Sequence, residues 1–167
     1  MENNLKIRDA LENDLPQIIE IYNLAVPQKI ATADLEPISV ESRLGWYREC
    51  QSAQRPLWVV EIGGRIIGWL SFQAFKKRAA YDATAELSIY IHTDYQGQGI
   101  GKKLLHQAIE EGPKFGCETL LALIFAHNQP SLKLFDSFGF QQWGYLPQIA
   151  VIDGVKRDLV IMGLHLC

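Results

Sequence analysis

The chain has 167 residues, of which 48% are apolar and 21% charged, and its formal net charge is −3. This length predicts a single domain spanning residues 1–167, and the acidic balance argues against nucleic acid as a partner, because phosphates require a basic face. No apolar run approaches the ~20 residues of a membrane span, and the polar start MENNLKIRDA does not resemble a signal peptide, so a cytoplasmic protein is expected.

The first half of the chain predicts three strands, two helices and two loops. Asp14-Leu15-Pro16-Gln17 has the cap, early proline and glutamine of a helix start, and Ser39 is placed to cap a second helix. The stretch from Val26 to Ile38 has no periodicity, so it is predicted to be a long loop and a candidate for substrate contact. A strand is predicted over Leu5 to Arg8, and the first helix has an apolar stripe of Ile18, Ile21, Tyr22 and Ala25. The second helix is predicted to end near Cys50. Two hairpin strands, Leu57 to Ile62 and Ile66 to Phe72, are predicted around Gly63-Gly64, followed by a loop over Gln73 to Ala83.

The stretch from Glu86 to Ile109 predicts a strand, a glycine-rich turn and a helix in direct succession. Alternation of polar and apolar residues in its first seven positions predicts a strand with one buried face. The polar face carries Glu86, Ser88, Tyr90 and His92, and the apolar face carries Leu87, Ile89 and Ile91. The glycine-rich segment that follows is Gln96-Gly97-Gln98-Gly99-Ile100-Gly101, after which apolar residues recur at helical spacing.

The glycines lie at the predicted helix N-terminus, where they favour phosphate binding. Gly97, Gly99 and Gly101 permit positive φ angles and close approach of a ligand to backbone N–H groups, and Lys102 and Lys103 add positive charge. The spacing G-x-G-x-G fits neither a P-loop, which needs a Ser or Thr after its lysine, nor a dinucleotide fingerprint. The alternative is a tight turn that only joins the strand to the helix.

The last third of the chain predicts a buried strand, a short helix and a hairpin. The apolar run Thr119 to Phe125 is predicted to be a strand buried on both faces, parallel to the Glu86 strand because a helix separates the two. The central helix ends at Gly112-Pro113 or at Gly116, and the sequence does not decide between them. A turn is predicted over Ala126 to Pro130, followed by a helix that Ser131 caps, that runs to Phe138 and that Gly139 ends. The last two strands are predicted over Phe140 to Ile152 and Val155 to Leu166, joined by a turn at Asp153-Gly154.

Several of these motifs together resemble the GNAT superfamily of N-acetyltransferases, and within it the phosphinothricin-type branch. The glycine segment, Gln96-x-x-Gly99-x-Gly101, resembles the acetyl-CoA pyrophosphate loop of the superfamily. The resemblance implies an α/β (α+β) GNAT fold, a mixed central sheet with a splayed parallel strand pair flanked by helices. The other matching motifs are Ile21-Tyr22-Asn23, Ala31-Thr32-Ala33 with Glu36-Pro37, Arg78-x-Ala80-Tyr81, Thr84-x-Glu86-x-Ser88-Ile89-Tyr90-Ile91, Asn128-x-Pro130-Ser131-Leu132-x-Leu134-Phe135 and Asp153 to Leu159.

The resemblance implies that acetyl-CoA is the co-substrate and that it lies like an added strand along the backbone of Ile89, Tyr90 and Ile91. Asn128 and Ser131 match family positions that contact the coenzyme, although in a purely structural role they only stabilise a turn and cap a helix. The positions expected to bind the diphosphate are Gln96, Gly97, Gln98, Gly99, Ile100, Gly101 and Lys102.

The resemblance also implies that Glu86 is the general base, acting directly or through water, where an isolated Glu on a strand would usually be only solvated. A free α-amine with a pKa near 7.7–8.0 is about a tenth neutral at pH 7, whereas a Lys side chain with a pKa near 10.4 is almost entirely charged. A Glu whose pKa is only modestly raised can therefore deprotonate an α-amine more easily than a Lys side chain, which favours an α-amino substrate. Many superfamily members supply a Tyr proton to the leaving thiolate, but here Phe135 stands at that position. Water, Tyr90 or Ser131 remain as alternative donors.

The expected acceptor is a small amino acid such as phosphinothricin or methionine sulfoximine or sulfone, bound by Arg78 and Tyr81 and more weakly by Thr32. The alternatives are a polyamine, a protein N-terminus, or a module that binds acyl-CoA without turnover. Dimers are common in the family, so a homodimer is expected. No metal is expected, because neither the cysteines Cys50, Cys117 and Cys167 nor the histidines His92, His106, His127 and His165 have ligand spacing, and reduced thiols are the expected state.

Overall fold

The computed structural model describes residues 4–52 and 55–166. Within them it contains seven strands and four α-helices, with short 3₁₀ turns between some of them. In chain order these are β1 (Leu5–Asp9), α1 (Leu15–Ala25), α2 (Val40–Ser52), β2 (Leu57–Ile62), β3 (Arg65–Ala74), β4 (Thr84–Ile91), α3 (Ile100–Glu111), β5 (Thr119–Phe125), α4 (Gln129–Ser137), β6 (Gln141–Ile152) and β7 (Val155–His165). Every strand and α-helix predicted from the sequence is present in this list.

The strands form one seven-stranded sheet in the order β1-β2-β3-β4-β5-β7-β6. All neighbours are antiparallel except β4 and β5, which are parallel because α3 crosses between them. A mixed α/β sheet with one parallel pair at its centre is therefore confirmed. None of the described helices is long and apolar enough to cross a membrane.

Two apolar cores lie on opposite faces of this sheet. Residues from α3 and α4, such as Leu104 and Phe135, pack on one face, and residues from α1, such as Ile18, pack on the other. Strand β2 shows the division, since Trp58 belongs to the first core and its neighbour Val59 to the second. This alternation follows from the two-residue period of a strand and explains why so many sheet residues are apolar.

The parallel strands β4 and β5 diverge after three residue pairs. Thr84, Ala85 and Glu86 pair with Thr119, Leu120 and Leu121, and no further pairs follow, although β4 continues to Ile91. Strand β5 remains paired with β7 from Thr119 to Phe125, so the separation concerns only its β4 side. The splayed pair that the family resemblance implied is therefore present, and it opens at Glu86.

Three local predictions need correction. Helix α4 is capped by Asn128, whose side chain accepts a hydrogen bond from the Ser131 backbone N–H at 3.3 Å, so Ser131 itself is not the cap. Asp14 stands at the N-cap of α1 without capping it, because its carboxylate is held by Arg8 and by the Leu11 N–H. In β5 the side chain of Leu123 is 37% exposed, so this strand is not buried on both faces throughout.

The end of α3 uses both of the predicted stop signals. The α-helix ends at Glu111, Gly112–Phe115 continues as a 3₁₀ turn, and Gly116 ends that turn with φ of 79°. The proline at position 113 cannot donate the α-helical hydrogen bond, and the glycine accepts the left-handed conformation at little cost. The two candidate endpoints are therefore successive parts of one termination.

Candidate active site

The loop between β4 and α3 has the backbone that its glycines predict. Gly97 and Gly99 have φ of 76° and 80°, and Gly99 is the N-cap residue of α3. The side-chain amide of Gln96 donates to the Ile91 carbonyl at 3.2 Å and so ties the loop to the end of β4. The first N–H groups of α3 have no intrahelical acceptor, and they lie at the positive end of the helix dipole.

A groove of about 500 Å³ runs along this loop. It is bounded by the end of β4, the glycine loop, the start of α4 and the loop after α1. Of the positions predicted to bind the coenzyme, all but Gln98 line it. These lining positions are Ile89, Tyr90, Ile91, Gln96, Gly97, Gly99, Ile100, Gly101, Lys102, Asn128 and Ser131. A groove of this volume falls within the range of ligand sites in proteins.

The groove continues into a smaller cavity of about 60 Å³ between the diverging strands β4 and β5. Ser88 and Ile89 line it from β4, Ile124 lines it from β5, and Asn128 and Ser131 line both this cavity and the groove. Because β5 offers no pairing partner beyond Leu121, the backbone groups of β4 on this side are available to an extended ligand. The geometry thus suits a narrow flexible arm entering between the strands.

Glu86 stands where this gap begins. It is half-buried, it is the last β4 residue paired with β5, and it lies opposite Gln73 of β3. No residue in the described ranges donates a hydrogen bond to its carboxylate. Burial raises the pKa of the Glu86 carboxyl above its ordinary value, and the positive charge of Lys76 opposes that rise only in part. A carboxylate with a raised pKa and free acceptor capacity is suited to removing a proton.

A third cavity, of about 190 Å³, lies on the α1 and α2 side of β4. Its aromatic walls are in mutual contact: Trp69 stacks on Tyr90 with centroids 4.9 Å apart, and Tyr22 and Trp46 pack against this pair. The residues that line it are Ile19, Tyr22, Ile38, Arg43, Trp46, Trp69, Gln73, Ser88 and Tyr90. We call this cavity the acceptor pocket, because Ser88 and Tyr90 connect it to the gap between the strands.

Sequence reasoning missed most of the acceptor pocket. Tyr22 was assigned to the apolar stripe of α1, and Trp46, Trp69 and Arg43 were not singled out at all. Their spacing carries no catalytic motif, and aromatic residues at helical or strand spacing usually indicate a core. The polar face of β4 was the one available signal, since it placed Ser88 and Tyr90 on the same side as Glu86.

Tyr90 is the residue common to all three cavities. Its hydroxyl donates to the Ala31 carbonyl at 3.2 Å, and burial raises the pKa of this phenol. Phe135 also lines the gap, but it is 3% exposed, packs edge-on against Phe140 and has no proton to donate. Ser131 lines the groove and the gap from the start of α4. Tyr90 and Ser131 thus both remain near the expected path of the thiolate.

The three predicted substrate-binding residues are not brought together in the acceptor pocket. Arg78 and Tyr81 lie exposed in the loop before β4, where the Tyr81 ring contacts Phe75. Thr32 is buried and forms a hydrogen bond with the Tyr22 hydroxyl, so it touches a pocket wall without lining the pocket. Within residues 4–52 and 55–166, no three His, Cys, Asp or Glu side chains are grouped as a metal site would require.

Comparison with known proteins gives consistent matches over nearly the whole chain. Residues 17–140 match the family model described as the acetyltransferase (GNAT) family. The YwnH protein of Bacillus subtilis (strain 168) is 42% identical over 163 residues, covering 97% of this chain and 99% of that protein. The L-amino acid N-acyltransferase MnaT of Escherichia coli (strain K12) is 35% identical, covering 97% and 94%. A methionine sulfoximine/methionine sulfone acetyltransferase of Salmonella typhimurium (strain LT2) is 35% identical, covering 97% of this chain and 95% of that protein.

Solved structures agree with these relatives. A phosphinothricin acetyltransferase from Sinorhizobium meliloti in complex with acetyl-CoA has a TM-score of 0.91 and 28% identity, covering 96% of this chain and 88% of that one. A ribosomal-protein-alanine N-acetyltransferase from Brucella melitensis has a TM-score of 0.91 and 33% identity, covering 96% and 99%. The chain therefore belongs to the acetyltransferase (GNAT) family, and the predicted family, with its phosphinothricin-type branch, is confirmed.

Proposed function

We propose that this chain is a cytoplasmic N-acetyltransferase that transfers the acetyl group of acetyl-CoA directly to the α-amine of a small amino acid, such as phosphinothricin or methionine sulfoximine or sulfone. The observation that carries this proposal is the continuity of the three cavities around Tyr90 and Ser88. Through the gap between the strands, a groove suited to a nucleotide and its arm meets a small aromatic pocket at Ser88 and Tyr90 of β4. Glu86 lines none of these cavities and precedes Ser88 by two residues on the same face of the strand. The names of the relatives support the same acceptor class.

In the proposed reaction, Glu86 accepts a proton from the acceptor amine, directly or through one water. The amine nitrogen forms a bond to the acetyl carbon, the carbon–sulfur bond breaks, and the sulfur leaves as a thiolate. The N-terminus of α3 would hold the diphosphate, since its N–H groups and dipole favour negative charge, and Lys102 adds a cation. We assign the proton that reaches the thiolate to Tyr90, because Phe135 has no proton to donate. Tyr90 borders both the acceptor pocket and the gap between the strands, whereas Ser131 does not line the acceptor pocket.

The acceptor pocket supports a small substrate. Its volume of about 190 Å³ suits a compact molecule, and its walls are mainly aromatic, with Arg43, Gln73 and Ser88 as the polar lining. Arg78 and Tyr81 stay in the proposal as outer contacts, because both are exposed in the loop that leads into β4. Thr32 stays as a buried residue that acts through the Tyr22 hydroxyl, to which it is hydrogen bonded. A protein N-terminus is the second candidate acceptor, since a Brucella melitensis enzyme named for ribosomal protein alanine has a similar structure.

A thiol-release assay with a panel of amines tests the proposal. The panel comprises phosphinothricin, methionine sulfoximine, methionine sulfone, a polyamine and a peptide that begins with alanine. We expect at least one of the three amino acids to have the highest kcat/KM. The pocket of about 190 Å³ suits a small molecule better than a peptide, and an α-amine is more often neutral than the amines of a polyamine. Preference for the peptide or the polyamine would contradict the amino-acid assignment. Release of no thiol with any amine would favour a binding module.

We also propose that two copies associate through β6, which is an edge strand of the sheet. Its exposed apolar side chains and that of the adjoining residue of β7 are unusual for a free surface. They are Trp143, Tyr145, Leu146, Ile149, Val151 and Val155, between 38% and 60% exposed.

Light scattering after size exclusion tests this association. We expect the wild-type protein to run as a dimer and the double variant Ile149→Glu with Val151→Glu to run as a monomer, because two carboxylates cannot be buried without partners. Leu11→Glu is the matched control, since Leu11 is 60% exposed and precedes α1, away from β6. A monomeric wild type, or a dimer that survives the double substitution, would rule out β6 as the dimer interface.

A further inference from the structure

Among the residues that the structure describes, Arg43 is the one charged residue that lines the acceptor pocket. We propose that its guanidinium binds the carboxylate of the amino-acid acceptor and thereby makes the enzyme select amino acids over amines that lack a carboxylate. This inference rests on the proposed function and adds to it the group that recognises the acceptor. The sequence motifs did not indicate Arg43, which lies in the first turn of α2, in a region expected only to form a helix.

The position of the guanidinium is set by two contacts. One of its nitrogen atoms lies 3.4 Å from an Asp34 carboxylate oxygen, and its central carbon lies 5.7 Å from the centroid of the Tyr22 ring. Tyr22 is itself hydrogen bonded to Asp34 and Thr32, so α1 and the loop after it hold the arginine from one side. A side chain fixed in this way loses less conformational freedom when a ligand binds.

Most of the hydrogen-bonding capacity of Arg43 remains unused. A guanidinium has five N–H donors, and within the described residues Arg43 makes one hydrogen bond, the long contact to Asp34. The Asp34 carboxylate also accepts a bond from the Tyr22 hydroxyl, so its charge is shared between two donors. Arg43 therefore retains the paired N–H groups with which arginine binds a carboxylate in bidentate fashion.

A second wall of the pocket also has a donor without an acceptor. The indole N–H of Trp46 is buried and has no hydrogen-bond partner among the described residues. Trp46 lies one helical turn after Arg43 in α2, and residues three apart share one side of a helix. A buried donor without a partner costs free energy, but this N–H is covered by protein atoms, so Arg43 is the donor expected to contact the carboxylate.

The β4 side of the pocket suits the amine of the same ligand. Ser88 lines it there and lies two residues from Glu86 on the same face of β4. The pocket thus has a cation on the α2 side and a carboxylate close to the β4 side, as a zwitterionic amino acid requires. Arg78 lies exposed outside this pocket, so it does not duplicate the role of Arg43.

Two acceptors and three variants test the assignment. The acceptors are methionine sulfone and its amide, which share the side chain and the α-amine and differ in the carboxylate charge. For Arg43→Gln we expect kcat/KM to fall about 10- to 100-fold with the acid and less than about threefold with the amide, as loss of a charge-assisted hydrogen bond implies. The KM for acetyl-CoA should not change, and Arg43→Lys should recover part of the preference.

Arg48→Gln is the matched control, because Arg48 is an exposed arginine of the same helix that lines none of the three cavities. We expect it to retain the preference for the acid over the amide. Equal losses with acid and amide in Arg43→Gln would show that Arg43 only braces the loop after α1, and would overturn the inference. If thermal unfolding shows that Arg43→Gln does not fold, the kinetics of Arg43→Lys decide, because lysine cannot bind a carboxylate in bidentate fashion. A preference for the acid equal to that of the wild type would then overturn the inference.

The outcome for the wild-type enzyme separates this inference from the proposed function. Efficient acetylation of methionine sulfone and its amide with no preference between them would leave the N-acetyltransferase assignment intact and would refute the role of Arg43. A wild type that acetylates neither of them nor any amino acid of the panel would refute both. A preference for the acid that Arg43→Gln abolishes supports both.

Discussion

Replacing Glu86 with glutamine is expected to lower kcat by about 100-fold or more near pH 7 and to leave the affinity for acetyl-CoA unchanged. The carboxylate stands where the strands diverge, next to the proposed meeting point of amine and thioester, and no described residue donates a hydrogen bond to it. Glutamine keeps the shape of the side chain and removes its basicity, so binding of the coenzyme should persist. Steady-state kinetics and calorimetry measure the two quantities.

The pH dependence has a definite direction. Burial raises the pKa of the Glu86 carboxyl, so the wild-type kcat/KM should fall as the pH drops through that raised pKa and the base becomes protonated. The Glu86→Gln variant should lack this acidic limb, because it has no carboxyl to titrate. The residual rate of the variant should rise with pH as more of the acceptor amine becomes neutral. The difference in rate between the variant and the wild type should therefore be smaller at alkaline pH.

Glu20→Gln serves as the control, because Glu20 is an exposed carboxylate on α1, whereas Glu86 is half-buried on β4 at the point where β4 and β5 separate. It should leave both the rate and its pH profile unchanged. If Glu86→Gln turns over as fast as the wild type, Glu86 is not the base. The protein would then be a transferase that relies on positioning alone, or the base would be another group.

The substitution Gly99→Val is expected to weaken acetyl-CoA binding by about tenfold or more. Gly99 has φ of 80°, and a β-branched residue is rarely found in that conformation. Apart from its two chain neighbours, none of the described residues has an atom within 4 Å of the position where its Cβ would stand, so the new side chain would occupy open space beside the groove. Both effects act on the ligand site, since the strain alters the loop and the added atoms crowd the diphosphate. Calorimetric titration with acetyl-CoA measures the change.

Gly116→Val separates the two effects. Gly116 has φ of 79° and equally open space at its Cβ, but it follows the opposite end of α3, so its substitution carries the backbone strain without touching the groove. Both variants should lower the thermal unfolding temperature by similar amounts, and only Gly99→Val should reduce affinity for the coenzyme. Unaltered affinity in Gly99→Val would show that the diphosphate is held elsewhere.

The elements that sequence reasoning located correctly are those with strong local signals. The glycine loop, the alternation of β4 and the Asp153-Gly154 turn each depend on backbone conformations that few residues adopt, so neighbouring residues suffice to identify them. Local signals also explain the error at α4, because Asn128 and Ser131 are both good caps and only the folded turn decides between them.

The sequence by itself determined the order of elements, the family and the residues that form the groove, because these reside in short motifs with their own backbone geometry. The tertiary structure alone decided that β4 and β5 separate after Glu86 and that Tyr22, Arg43, Trp46 and Trp69 enclose one pocket. Those residues come from α1, α2 and β3, and their meeting depends on how two helices pack across a twisted sheet, which no spacing along the chain records.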